Sequence, residues 1–128
     1  MKKDARLTPA AFRTLAEAEL ALIPKALRDL LVNVTIETRD SPGIEAQEMD
    51  EPGEILGLYA GATRAEMLSN DAHGSLPAKV YLYQRNMEDA SKNAVELRKE
   101  LRLTLRHELA HHFGFDDEDL ERAWPEGA

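Results

Sequence analysis

The chain has 128 residues, 43% of them hydrophobic and 31% charged, the profile of a single soluble globular domain over 1–128 with one core. A net charge of −8 argues against a nucleic-acid or anionic-membrane partner, since both require a basic face. There is no cysteine, which excludes disulfides and thiolate sites and leaves only N and O ligands for any metal. The basic start leads into no apolar segment, and no apolar run approaches the roughly 18 residues of a membrane span, so a cytoplasmic location is expected.

In chain order, Thr8 is a candidate helix cap with Pro9 behind it. Phe12, Leu15, Ala16, Leu20, Ile23, Leu27 and Leu30 recur at helical spacing, and Pro24 should kink or divide that helix. Val32–Thr38 alternates apolar and polar residues and predicts a strand. An acidic, turn-forming loop follows over 39–53. Glu54–Gly61 reads as a second short strand whose glycines suggest an edge or a close backbone approach. Residues 62–78 read as a long loop containing the lone histidine His73, and Lys79–Gln84 as the third strand. Arg85–Ala90 leads out of that strand, with Ser91 a candidate cap.

From there to Phe113 runs a long helix. Leu97, Leu101, Leu105 and Leu109 form its buried ridge, with Lys99, Arg102 and Arg106 on the wet side. Gly114 is the expected terminator, and a short helix is predicted from about 117 to 123.

The chemistry is concentrated in Leu103–Leu120, LTLRHELAHHFGFDDEDL. His107, Glu108 and His111 spell HExxH, and Gly114 and Asp117 extend it to HExxHxxGxxD. On a helix each residue advances about 100° and about 1.5 Å, so His111 lies roughly 40° round from His107 and one turn along. Two imidazoles then point one way, as ligands of one ion must. Glu108, about 100° from His107, sits at the edge of that face, where it can reach a water in an open metal position. A zinc ion needs a third protein ligand; Gly114 lets the chain reverse, and Asp117 has the reach, with Asp116 or Glu118 as substitutes. The competing explanation of the acid run is helix capping. His112 points about 140° from His107 and is expected to pack or hydrogen-bond near Glu108. Thr104 and Glu100 share the ligand face as candidate orienters, while Tyr59, Tyr81 and Tyr83 are first of all strand aromatics, one of which could also stabilise an oxyanion.

These residues resemble the small bacterial zincin-like metallopeptidases with an HExxHxxGxxD signature, a likeness extending over roughly 52–122 through ILGLYAG, LPAKVYLYQR and LRHELAHHFGFDDEDLE. The resemblance implies an α+β minimal zincin-like fold, in which a three- to four-stranded sheet packs on the N-terminal helix and the HExxH helix. It implies one zinc ion held by His107, His111 and Asp117, with Glu108 as general base in peptide-bond hydrolysis. It also implies a peptide or protein substrate, bound by β-addition to an edge strand at 55–60.

The metzincin pattern is similar but has His where this chain has Asp117, and a methionine turn beyond the motif, whereas the last methionine here is Met87. Little of the given sequence follows Asp117, so a cleft with one wall is expected. That motivates the alternative expectations of a non-catalytic zinc-stabilised binding or regulatory domain, or of a cytoplasmic zincin dedicated to one regulatory protein. Oligomeric state is not legible in the sequence.

Overall fold

A computed structural model describes residues 6–69 and 76–125; His73 and the middle of the predicted 62–78 loop lie outside the described residues. The first helix, α1 (Pro9–Ala21), begins as its sequence dictates: Thr8 Oγ1 accepts from the Ala11 amide at 3.1 Å, and Pro9 occupies the first turn. Phe12 and Ala16 are buried on its inner face. Pro24 divides the apolar stretch, and the short helix α2 (Lys25–Arg28) follows it.

Three strands form one mixed sheet in the order β1-β3-β2. These are β1 (Val34–Arg39), β2 (Gly57–Ala60) and β3 (Ala78–Tyr83). β1 runs parallel to β3 and β2 antiparallel to it. Alternation along the strands sorts the side chains into two layers. Val80 and Leu82, with Val34, Ile36 and Tyr59, face the helices in the main core. Leu58, Tyr81 and Tyr83 point the other way and close over Ala46, which sits in a 3₁₀ turn at Ile44–Ala46. The Tyr83 hydroxyl donates to Glu45 Oε2 at 2.8 Å, pinning this acidic loop to the back of the sheet.

Three local features differ from expectation. The segment predicted as a long loop contains a helix, α3 (Arg64–Ser69), started by a reciprocal cap: Thr63 Oγ1 accepts from the Glu66 amide at 3.2 Å, and Glu66 Oε1 from the Thr63 amide at 2.8 Å. Its Thr-x-x-Glu signal stands in the sequence at 63–66. β3 passes without a loop into α4 (Gln84–Asp89). The long helix α5 (Ala94–Phe113) is capped by Asn93, whose Oδ1 accepts from the Glu96 amide at 2.9 Å. Ser91, the expected cap, is buried and donates to the Met87 carbonyl at 2.7 Å.

Helix α5 organises the core. Leu97, Leu101, Leu105 and Leu109 are all at most 1% exposed, and each contributes about 1.5–3 kcal/mol of burial. Its basic face is drier than amphipathic spacing predicts. The buried Glu19 of α1 accepts from Arg98 Nε at 2.6 Å and Arg102 Nε at 3.1 Å. Arg106 donates from Nε to the Trp124 carbonyl at 2.8 Å and pairs with Glu121 at 3.1 Å. These ties clamp α1 and the last helix, α6 (Asp117–Ala123), to α5.

Candidate metal centre

The C-terminal half of α5 carries the HExxH residues, and the turn beyond it follows from Gly114. That glycine has φ +73°, and two bonds close the end: Phe115 N to Ala110 O at 3.0 Å and Gly114 N to His111 O at 3.2 Å. This six-to-one and five-to-two pairing is the Schellman arrangement, which needs a residue free of left-handed strain. His107 and His111 stand on the exposed side of the helix with ring centroids 5.3 Å apart and planes at 83°. Glu108 lies beside them, its side chain only 13% exposed and its Oε1 4.0 Å from His111 Nε2.

The wall of the site is strand β2, and its backbone phase can be read from the pairing. Tyr83 N donates to Leu56 O at 3.0 Å, and the register runs Gly57↔Leu82, Leu58↔Tyr81, Tyr59↔Val80. In an antiparallel pair only alternate residues exchange hydrogen bonds with the neighbour. Leu58 and Ala60 therefore face β3, while Gly57 and Tyr59 turn their amides and carbonyls to the open edge. The Tyr59 amide faces the Glu108 carboxylate and favours its charged form.

Gly57 allows that approach. A Cβ there would lie 2.6 Å from Thr104 Cγ2 and 2.9 Å from the Tyr81 carbonyl oxygen, with Glu108 Cγ at 3.5 Å. Thr104, a candidate orienter from its place on the helix, is thus a buried packing partner of Gly57.

Burial pushes the Glu108 carboxyl above the ordinary carboxylate range, against the opposing pull of the His107 and His111 imidazoles and the Tyr59 amide. A carboxylate with raised proton affinity beside two exposed imidazoles suits proton transfer. An open groove of about 480 Å³ runs past it, lined by Met49, Ile55, Leu56 and Leu103 together with Thr104, His107 and Glu108.

His112 is fully buried and does not approach Glu108 by hydrogen bonding; its Nδ1 lies 2.8 Å from the Tyr59 hydroxyl, which also donates to the Ala62 carbonyl at 2.6 Å. Burial pushes the Tyr59 phenol up to about 12, with Glu66 adding to the effect, so the hydroxyl keeps its proton near neutrality. The Tyr59 ring also stands beside that of His111, centroids 6.2 Å apart and planes 16° from parallel. From sequence Tyr59 is one of three strand aromatics, any of which could stabilise an oxyanion; its period-2 relation to Gly57 places it on the same face as that glycine.

The acidic turn resolves into two roles. Asp116 is the N-cap of α6, its Oδ1 accepting from the Asp119 amide at 2.8 Å while Asp119 Oδ2 accepts from the Asp116 amide at 3.1 Å. Asp117 is exposed in the first turn of that helix. His107, Glu108 and His111 are brought together, but Asp117 is not. Among the described residues no three His, Asp or Glu side chains gather closely enough to hold an ion.

The donor chemistry present nevertheless fits zinc in part. Two neighbouring imidazoles stand near the carbonyl end of a helix, where partial negative charge favours a cation, and a carboxylate-rich turn follows.

Helices packed on one face of a small mixed sheet, with HExxH on the longest helix, define a small α+β zincin-like fold. The zincin-like metallopeptidase family profile matches residues 31–125, and the chain belongs to that family. No curated protein matches the chain.

Proposed function

We propose that this chain is a zinc-dependent metallopeptidase that hydrolyses peptide bonds. His107, His111 and Asp117 hold one zinc ion, and Glu108 is the general base. The observation that carries this reading is the setting of Glu108: mostly buried, raised in proton affinity, flanked by two exposed imidazoles and lining an open groove. When bound, the ion supplies Lewis acidity and makes hydroxide available near neutral pH. Glu108 accepts the proton of the attacking water and delivers it to the leaving amine. The outward backbone of Gly57 and the outward carbonyl of Tyr59 offer an extended substrate segment groups to pair with. The engagement of Asp116 in its capping box supports Asp117 as the third ligand.

The test is Glu108→Gln in zinc-loaded protein. It keeps zinc at wild-type stoichiometry and lowers peptide turnover by about 10²–10⁴-fold. Unchanged turnover would remove Glu108 from the mechanism. A second reading is a zinc-stabilised binding domain without turnover. It predicts that chelation lowers the melting temperature while the zinc-loaded protein cuts no peptide library. Capture of a protein by Glu108→Gln that the wild type cleaves decides for a dedicated peptidase.

A further inference from the structure

Tyr59 touches the HExxH segment through three chemically different parts of one residue. Its backbone amide faces the Glu108 carboxylate, its ring runs nearly parallel to that of His111 with centroids 6.2 Å apart, and its hydroxyl joins His112 Nδ1 and the Ala62 carbonyl. No other residue of β2 contributes a side chain to these contacts: Gly57 has none, and Leu58 points to the opposite face of the sheet.

The arrangement answers a specific physical problem. The His111 side chain is 55% exposed, so packing alone leaves its imidazole free to turn. A ligand must be presented in one orientation, and an exposed ring that is not held loses conformational entropy when it binds. An aromatic face lying nearly parallel limits that rotation from one side. The Tyr59 ring is itself fixed, because its hydroxyl is anchored at 2.6 and 2.8 Å to a backbone carbonyl and to a fully buried imidazole. His112 thus contributes from inside the core, as the post to which the orienting ring is tied.

We infer that Tyr59 is a positioning residue of the metal centre, orienting the His111 imidazole through its ring and its His112-anchored hydroxyl while its amide faces the Glu108 carboxylate. This rests on the zinc reading above. It assigns β2 a role besides that of an edge for substrate: the same residue that turns its carbonyl outward orients the ligand. Residues that orient metal ligands typically contribute 10–100-fold to affinity or activity, and that range sets the expected effect.

The experiment compares wild type, Tyr59→Leu and Tyr59→Phe by zinc competition against a chromogenic chelator, by the visible absorption of the cobalt-substituted proteins, and by thermal unfolding of the metal-free proteins. Tyr59→Leu keeps the amide but removes the ring and hydroxyl; it is expected to weaken zinc binding about 10–100-fold and to change the cobalt bands. Tyr59→Phe keeps the ring without its anchor and is expected to fall between the two. If Tyr59 served packing alone, metal-free stability would drop while zinc affinity and the cobalt spectrum of the folded variants stayed at wild-type values, and that result overturns the inference. Should Tyr59→Leu fail to fold, Tyr59→Phe decides by the same two readouts. Wild-type protein that takes up no zinc fails the metal reading itself, and is told apart because no variant is needed to see it.

Discussion

At the scale of single residues, the site depends on one missing side chain. Gly57 lies where α5 crosses β2, and a Cβ there would meet the Tyr81 backbone carbonyl at 2.9 Å as well as the Thr104 methyl at 2.6 Å. Thr104 can turn; a carbonyl in the central strand cannot move without breaking pairing. Gly57→Ala is therefore expected to destabilise the fold by about 1–3 kcal/mol, read as a lower urea midpoint at unchanged slope. An undiminished midpoint would show that the helix can stand further from the strand than its packing suggests. The reason Gly57 is needed was only partly legible: a glycine in a strand pattern signals close approach, but which atoms approach depends on the helix register across the sheet. The histidine pair and Glu108 are different. Their convergence is a property of one helix, so four-residue spacing suffices to read it.

At the scale of elements, helix ends decided what the sequence could and could not reveal. Thr8-Pro9, Gly114 and the start of α6 at 117 were readable because each is a local signal with a local cause. The Thr63–Glu66 box was just as local, but it was masked by reading 62–78 as one loop. The tie of Glu19 to Arg98 and Arg102 was not legible, since it joins positions about eighty residues apart. The acid run at 116–119 shows the limit most clearly, because capping and metal ligation ask for the same residue types. The structure gives Asp116 the capping bonds, and this separates two variants. Asp116→Ala should lower the metal-free denaturation midpoint, as loss of an N-cap does. Asp117→Ala should leave metal-free stability within about 0.5 kcal/mol and forfeit most of the zinc affinity. Paired denaturant melts and zinc titrations check both; equal effects on stability with zinc binding intact in each would reject Asp117 as ligand.

At the scale of the whole molecule, the metal and the fold are linked by mass action. An ion that binds only the native state stabilises it by about 2.7 kcal/mol at a hundredfold excess over its dissociation constant. For a domain of this size that corresponds to a rise of roughly 10 °C in melting temperature, reversed by chelation. Calorimetric scans with zinc, with chelator, and with zinc restored should show the shift return in full. A scan indifferent to all three conditions would leave the HExxH helix as structure alone.

The sheet order itself has a dynamic consequence. β3 is paired on both sides, whereas β2 is held on one side along four residues. Segments of this kind detach by local opening at a lower free energy than global unfolding, so amide exchange should be slowest in β3 and faster in β2. Leu58 and Ala60 report β2 through their bonds to β3. Each excursion of β2 would carry Tyr59 away from Glu108 and His111 together, while the β1–β3 pair and the leucine ridge stayed folded. The working order of the centre is then bounded by the least stable strand of the domain, and a peptide added along the outer edge of β2 would stabilise the strand that holds the site.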